Sequence, residues 1–150
     1  MTLLERLVLE NQILERDGLS QFQVHRAQQG GESYYLWGVH HTNAGNAYTI
    51  WSPIPINFPY ARPPVYVYEP NPLPGHRYGE TINGVGLSHA MHTLSNGPNG
   101  EVQICHWRDE RWHSGITLNK VMIKVVLWLE GYEQYRTSGT TISDLVRTMA

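Results

Sequence analysis

The sequence has little cysteine, little phenylalanine and no run of charge of one sign. Its 150 residues contain 1 cysteine, Cys105, and 2 phenylalanines. A single cysteine excludes an intramolecular disulfide and a multi-cysteine zinc cage, and it leaves either a small buried side chain or a reactive thiol. The 11 basic residues are scattered along the chain, so we expect no nucleic-acid partner.

Long apolar runs and targeting patterns are also missing. The apolar run at residues 125–129 has 5 residues, against the ~18 that suggest a membrane span. Near the N terminus, Glu5, Arg6 and Glu10 interrupt the apolar residues and argue against a secretory signal peptide. We therefore expect a soluble, cytoplasmic protein without a membrane partner, folded as a single domain over residues 1–150.

Hydrophobic periodicity predicts a helix in each half of the chain. The first covers residues 2–16 and should lie on a sheet. Its apolar stripe is Leu4, Leu7, Val8 and Ile13 or Leu14. The second covers residues 117–136 and has the clearest pattern in the chain. Its apolar stripe is Leu118, Val121, Val125, Trp128 or Leu129, and Tyr132.

Between these helices the pattern changes to short extended segments. Turn-forming residues at 29–32 and 42–46 separate the first three of them. The predicted strands are residues 20–27, 33–42, 47–58 and 65–68. They predict a four-stranded antiparallel meander. Within it, Pro53 and Pro55 indicate a distorted or edge stretch, because proline cannot donate to the ladder.

Residues 69–103 are rich in proline, glycine and asparagine, which predicts a long ordered loop. A loop longer than ~12–15 residues in a compact domain is functional or disordered in most cases. This one leads directly to Cys105, which lies in a short apolar run. Helices that cover one face of an antiparallel sheet give an α+β fold class.

The order of these parts resembles the ubiquitin-conjugating enzyme family. In that family a helix and a proline-flanked meander precede a His-Pro-Asn loop, a cysteine, a tryptophan and a long helix. The matching landmarks are residues 48–59, Arg62-Pro63-Pro64-Val65-Tyr66-Val67, His92, Gly100, Ile104-Cys105, Trp112, and the helix from Thr117-Leu118 to Trp128-Leu129. The resemblance implies a UBC-like fold with a long active-site loop and a C-terminal crossover helix.

Within the family, the chain is more similar to bacterial members, whose last helix carries Trp-Leu, Tyr-Glu and Thr-x-Gly. Trp128-Leu129, Tyr132-Glu133 and Thr137-Ser138-Gly139 fit that pattern. Such proteins occur in ubiquitin-like bacterial operons and in anti-phage (CBASS) operons that signal with cyclic oligonucleotides. The resemblance implies a thioester between Cys105 and the C-terminal carboxylate of a partner, a cGAS-like nucleotidyltransferase or a ubiquitin-like protein. No cofactor is implied, and any activating enzyme is expected to be a separate chain.

The resemblance also assigns supporting roles near the cysteine. His92 matches a position that shapes the loop, with plain loop chemistry as the alternative. Asp109 matches the acidic residues that orient an incoming amine, although a solvated charge is the simpler interpretation. Trp112 is expected to pack under the loop.

The chain departs from the family at the oxyanion position. Thr93 and Leu94 stand where the family has proline and asparagine. The side-chain amide usually credited with stabilising the oxyanion is therefore missing. Asn96 or Asn99, further along the loop, is a candidate substitute. Ligation to lysine is consequently less well supported than thioester formation.

An acyl carrier needs an accessible thiol but no paired histidine. A free cysteine with a pKa near ~8.5 is already a few per cent thiolate at neutral pH. Arg108 and Arg111 are expected to lower that pKa further. His106 follows the cysteine directly, so in an extended segment it should point to the opposite face.

Three other functions compete with this interpretation. One is a zinc site, for which the candidate ligands are His89, His92, Cys105 and His106, although their spacing does not match a typical site. Another is a non-catalytic adaptor of the same fold that binds a ubiquitin-like protein or a nucleotidyltransferase. The missing asparagine favours the adaptor, and the retained cysteine opposes it. A cysteine peptidase has the least support, because no histidine with a recognisable orienting partner is present.

Overall fold

The computed structural model describes residues 1–28, 31–85 and 88–149, and the side chains through residue 146. Over these ranges the fold is α+β, with a six-stranded antiparallel sheet and three α-helices. The elements are α1 (Leu3–Arg16), β1 (Phe22–Arg26), β2 (Tyr34–His41), β3 (Ala47–Ile54), β4 (Val65–Glu69), β5 (Thr93–Leu94), β6 (Val102–Ile104), α2 (Leu118–Ser138) and α3 (Ile142–Met149). In these ranges no helix has the length and apolar character needed to cross a bilayer.

The sheet confirms the predicted meander and extends it. Strands β1 to β4 are neighbours in chain order, and the full order is β1-β2-β3-β4-β6-β5. Both β5 and β6 overlap the predicted loop at 69–103. The prediction of four strands therefore missed two strands. The two added strands are only 2 and 3 residues long, too short for a periodic pattern to predict. The predicted turn at 29–32 falls partly outside the described residues.

Strand β3 is shorter than predicted because of its prolines. It ends at Ile54, and the chain then turns, with the Phe58 N–H donating to the Pro55 carbonyl at 2.9 Å. Pro53 pairs with Tyr35 of β2 and lies beyond the stretch of β3 that pairs with β4. It therefore occupies a locally edge-like position, where a proline is tolerated.

The core lies between one face of the sheet and helix α2. The inward residues of the central strands include Leu36 and Ile50, both fully buried. Helix α2 confirms its predicted stripe, since Leu118, Val121, Val125, Trp128, Leu129 and Tyr132 are all buried. It ends at Gly139, whose φ of 76° gives the left-handed C-cap that glycine favours.

Helix α1 lies against β1 and α2, but its predicted apolar stripe was partly wrong. Leu7 and Leu14 are buried, whereas Leu4 and Val8 are 46% and 50% exposed. The third buried position is a carboxylate, Glu10. Its two oxygens accept hydrogen bonds from Arg6 Nε and from the Leu118 N–H, both at 2.7 Å. A hydrophobic pattern cannot reveal a charged residue whose burial depends on partners from distant elements.

Helix α3 docks onto the core instead of extending into solvent. Ile142 is fully buried, and Leu145 packs against the core from a half-buried position. The Ser143 N–H donates to the Ala90 carbonyl at 2.8 Å. Helix α3 thereby supports the segment that precedes His92.

Candidate active site

Two short strands position Cys105 at the end of the sheet. Thr93 of β5 pairs with Ile104 of β6, and Cys105 is the next residue after β6. The Cys105 N–H donates to the His92 carbonyl at 3.0 Å. His92 has a φ of 57°, a left-handed backbone that few non-glycine residues adopt. This turn holds the backbone of Cys105 in place.

The side chain of Cys105 is half-buried between two clefts. The first cleft has a volume of about 290 Å³ and is lined by Arg62, Ser88, His89, His92, Thr93, Leu94, Cys105, Trp107, Arg108, Asp109 and Glu110. The second has a volume of about 320 Å³ and is lined by His92, Cys105, His106, Trp107, Arg108, Arg111 and Lys124. Cys105 therefore faces a neutral-to-basic surface that offers space on two sides.

Arg62 reaches the first cleft from the segment between β3 and β4. Its Nε donates to Asp109 Oδ1 at 2.8 Å, and Asp109 begins a 3₁₀ turn, Asp109–Arg111. The Arg62 side chain is only 13% exposed, whereas that of Asp109 is 83% exposed. The Nη1 atom of Arg62 is buried without a hydrogen-bond partner. Sequence reasoning used Arg62 as a family landmark and missed its place beside the cysteine.

Lys124 reaches the second cleft from helix α2. Its Nζ lies 3.6 Å from the centroid of the Trp107 ring, a cation–π contact. Burial lowers the pKa of Lys124, and the nearby Cys105 thiol acts in the opposite direction. Lys124 stands off the apolar stripe, so the sequence suggested only a solvent-facing position for it.

The environment raises the pKa of the Cys105 thiol. Burial is the largest cause, because it disfavours the thiolate. Arg62, Arg108 and Lys124 lower the thiol pKa, in that order, and Asp109 raises it slightly. The prediction that neighbouring arginines give a lowered pKa was wrong in its net direction. Arg108 acts as predicted, but burial outweighs all three cations.

His106 is buried next to the cysteine and is held by backbone. Its Nε2 lies 2.7 Å from the Pro63 carbonyl, which can only accept, so the proton is on Nε2 and Nδ1 is bare. Burial lowers the pKa of His106 to about 4. The ring is therefore neutral at neutral pH, and its hydrogen bond is directed to the segment before β4.

Trp112 contacts the same segment as His106, the stretch of chain before β4. Its Nε1 donates to the Pro59 carbonyl at 2.9 Å. Its ring lies edge-on to that of His106, with 6.3 Å between the centroids. Trp112 and His106 thus hold the stretch of chain that carries Arg62 into the cleft.

His92 combines a backbone contact with a place in both clefts. Burial lowers the pKa of its imidazole, and Arg108, His89 and Lys124 lower it further. A neutral imidazole at neutral pH follows. The contact that the structure places between His92 and Cys105 is the backbone hydrogen bond.

The loop asparagines are not brought to the cysteine. Asn99 lies beyond the other end of β6, in a cleft with Glu69 and Glu101. Its N–H donates to Glu101 Oε1 at 2.7 Å. The Asn96 side chain donates to the Asn83 carbonyl at 2.9 Å. In this arrangement neither amide lines the clefts around Cys105, where Leu94 occupies the first cleft.

The described residues offer no ligand set for the zinc alternative. His89, His92 and Cys105 line one cleft. Yet across residues 1–28, 31–85 and 88–149 no three His, Cys, Asp or Glu side chains are grouped closely enough to hold a metal ion. The zinc site is therefore not supported within these ranges.

The sequence matches no protein-family model and no curated protein. The functional assignment therefore rests on the chemistry of Cys105 and the side chains around it.

Proposed function

We propose that the protein is a cysteine acyl carrier of the ubiquitin-conjugating type, in which Cys105 forms a thioester with the C-terminal carboxylate of a partner protein. The observation that carries the proposal is the half-buried thiol between two clefts, directly after a short strand. Cys105 lines both clefts, so both offer space next to the sulfur for an acyl group and an acceptor.

Loading would proceed by exchange with a thioester on a separate activating enzyme. The Cys105 sulfur attacks the acyl carbon, a new C–S bond forms, and the donor C–S bond breaks. The proton of the Cys105 thiol passes through solvent to the departing thiolate. Such exchange is close to neutral in free energy and needs no cofactor.

The raised pKa of the thiol suits a carrier better than a protease nucleophile. A thiol of higher pKa is a poorer leaving group, so its thioester loses the acyl group more slowly. The same property keeps the empty thiol largely protonated at neutral pH and protects it from adventitious alkylation. The acyl group is thus held until an acceptor reaches the cleft.

The partner in this proposal is a protein with a free C-terminal carboxylate. The resemblance to bacterial conjugating-enzyme-like proteins makes a cGAS-like nucleotidyltransferase of an anti-phage operon the first candidate, and a ubiquitin-like protein the second. Neither assignment follows from the cleft geometry, and both are tested by the same experiment.

The decisive experiment is intact-mass analysis of the protein after co-expression with a candidate partner and its activating enzyme. We expect the mass of the protein to increase by the mass of the partner minus one water. Hydroxylamine should remove this adduct, and Cys105→Ala should abolish it. Cys105→Ser should give either no adduct or an ester that resists thiols.

Two results would overturn the proposal. One is the absence of any adduct on wild-type protein when activating enzyme and partner are both supplied. The other is an adduct that reductant cleaves but hydroxylamine does not, since that bond is a disulfide.

A non-catalytic adaptor of the same fold is the second candidate. It is favoured by one observation, that Leu94 and not an amide side chain lies in the cleft beside Cys105. An adaptor would bind the same partner without an adduct, and Cys105→Ala would leave that binding intact.

A further inference from the structure

Unpaired polar atoms concentrate around Cys105. Within the described ranges, the buried side-chain atoms without a hydrogen-bond partner are His40 Nε2, Ser52 Oγ, Arg62 Nη1, Glu101 Oε2, His106 Nδ1 and Trp107 Nε1. Three of these residues, Arg62, His106 and Trp107, line the clefts on either side of the thiol. Buried polar groups are nearly always paired in proteins, so unpaired groups clustered around a thiol call for an explanation, and a catalytic role is one such explanation.

Arg62 and Trp107 contribute donors, and His106 contributes an acceptor. His106 carries its proton on Nε2, which is bonded to Pro63, so its bare Nδ1 cannot stabilise a negative charge. Arg62 Nη1 and Trp107 Nε1 each present an N–H. Both residues line the first cleft together with Cys105. A carbonyl oxygen that becomes negative during acyl transfer is the kind of ligand that such N–H donors stabilise.

Arg62 is built to hold such a charge. Its Nε donates to Asp109 at 2.8 Å, which orients the guanidinium plane, and its Nη1 has no hydrogen-bond partner. Its side chain is mostly buried, and a guanidinium presents its donors in a rigid planar fork that suits an anionic oxygen. Among the cations near Cys105, it has the largest effect on the thiol.

We propose that Arg62, with Trp107 as a second donor, forms the oxyanion site for an acyl group carried on Cys105. The inference rests on the proposed function, because it requires an acyl group on this sulfur. It assigns to Arg62 and Trp107 the stabilisation of the oxyanion, because no asparagine amide of the loop lines the clefts around Cys105.

The step served by this site is aminolysis of the thioester. The amine nitrogen forms a bond to the acyl carbon, and the carbonyl π pair moves onto oxygen, where the N–H groups of Arg62 and Trp107 donate to it. As the pair returns, the C–S bond breaks and leaves the Cys105 thiolate. The proton lost by the amine passes through solvent to that thiolate. One well-placed donor at such an oxyanion is typically worth ~10²–10³-fold in rate.

The test uses the full chain acylated at Cys105 by exchange with a synthetic peptide thioester. Intact mass then follows transfer of the peptide to hydroxylamine and to lysine over a range of amine concentrations. Arg62→Gln should slow transfer by about 100-fold at saturating amine, with little change in the amine concentration at half-maximal rate. Trp107→Phe keeps the ring and removes one neutral donor, so it should slow transfer by about tenfold.

Arg77→Gln is the matched control, because Arg77 is an exposed guanidinium on a hairpin that lines a different cleft. It should transfer at the wild-type rate. Arg62→Lys keeps the charge and the aliphatic stem but loses the planar fork, and it should be slower than wild type. It replaces Arg62→Gln if circular dichroism shows that the glutamine variant is unfolded.

The outcomes separate the two proposals. If wild-type Cys105 takes up no acyl group from the peptide thioester, the proposed function and this inference are both overturned. If it is acylated and the Arg62 variants transfer at the wild-type rate, only the oxyanion assignment is overturned. Slow transfer in the Arg62 and Trp107 variants, with normal acylation and a normal Arg77 control, supports both.

Discussion

Two polar clusters contact the N-terminal half of helix α2 and differ in how completely their hydrogen bonds are made. At its N terminus, the buried carboxylate of Glu10 is paired at both oxygens, with Arg6 and with the Leu118 N–H. Around Cys105, near Lys124 of the same helix, Arg62 and Trp107 each keep a buried N–H without a partner. The first arrangement contributes stability, and the second is the one in which we propose an oxyanion site.

The turn between β2 and β3 contains another cluster in which carboxylates of α2 are paired. There Glu133 of α2 accepts from Thr42 Oγ1 at 2.6 Å and from Asn46 Nδ2 at 2.9 Å. Glu130 accepts from the Asn43 N–H at 2.9 Å. Helix α2 is thus held by paired carboxylates near both of its ends, and between them Lys124 lines a cleft beside Cys105.

Breaking the Glu10 cluster should have the largest effect on stability. Glu10→Ala leaves the Leu118 N–H unpaired and Arg6 without its buried partner, so we expect a loss of about 3–5 kcal/mol in the free energy of unfolding. Urea denaturation monitored by circular dichroism measures it. Glu15→Ala, at an exposed position of the same helix, should change stability by less than about 0.5 kcal/mol. Equal losses in the two variants would contradict the role given to Glu10.

The buried histidine of the cleft should make stability depend on pH. In the unfolded chain His106 titrates near ~6.5, whereas burial lowers its folded pKa to about 4. Between these values the unfolded state binds more protons, so stability falls as the pH drops from about 6.5 to about 4. The loss attributable to this group is about 3 kcal/mol.

Urea unfolding at a series of pH values tests this dependence. His106→Gln retains an N–H for the Pro63 carbonyl and removes the titration, so its stability should vary less over the same interval. His25→Gln, at an exposed site, should keep the wild-type dependence. An unchanged pH dependence in His106→Gln would show that other groups cause it.

A smaller effect is expected on thiol reactivity when a cation is removed. Lys124 lowers the pKa of Cys105, so Lys124→Gln should raise that pKa and slow alkylation by iodoacetamide at neutral pH. An interaction of this kind is worth up to about 1 kcal/mol, which corresponds to roughly two- to fivefold in rate. Lys120→Gln, one turn earlier and exposed, is the control. A rate increase in Lys124→Gln would contradict the electrostatic account.

The smallest change in stability is expected at the Arg62–Asp109 pair. Because Asp109 is 83% exposed, Asp109→Ala should cost less than about 1 kcal/mol in thermal or urea unfolding. Acyl transfer should nevertheless slow, since Arg62 loses the contact that orients its guanidinium. A stability loss as large as that of Glu10→Ala would show that the Arg62–Asp109 pair stabilises the fold, as the Glu10 cluster does.

Much of the scaffold could be predicted from hydrophobic patterns. The pattern located α1, the meander of β1 to β4 and the stripe of α2, because each element is long enough to show a period. It missed β5 and β6, which are very short, and it did not place α3. It also assigned Leu4 and Val8 to the core in place of Glu10, whose burial depends on the distant Leu118 N–H.

The candidate site was harder to predict, because its parts come from separate elements. The sequence singled out Cys105, and the family resemblance pointed to His92, Asp109 and Trp112 near it. Arg62 and Lys124 belong to other segments and meet the thiol only in the folded chain. The direction in which the thiol pKa shifts depends on burial, which the residues next to Cys105 in the sequence do not reveal.

The contact between Lys124 and Trp107 gives the protein an intrinsic optical reporter. The ammonium lies 3.6 Å from the indole centroid, in a cleft that an acyl chain on Cys105 would enter. Displacing a cation from the face of an indole changes the electric field on the chromophore and hence its emission. We therefore expect acylation of Cys105 to change tryptophan emission without a label, and Trp107→Phe to lack that change.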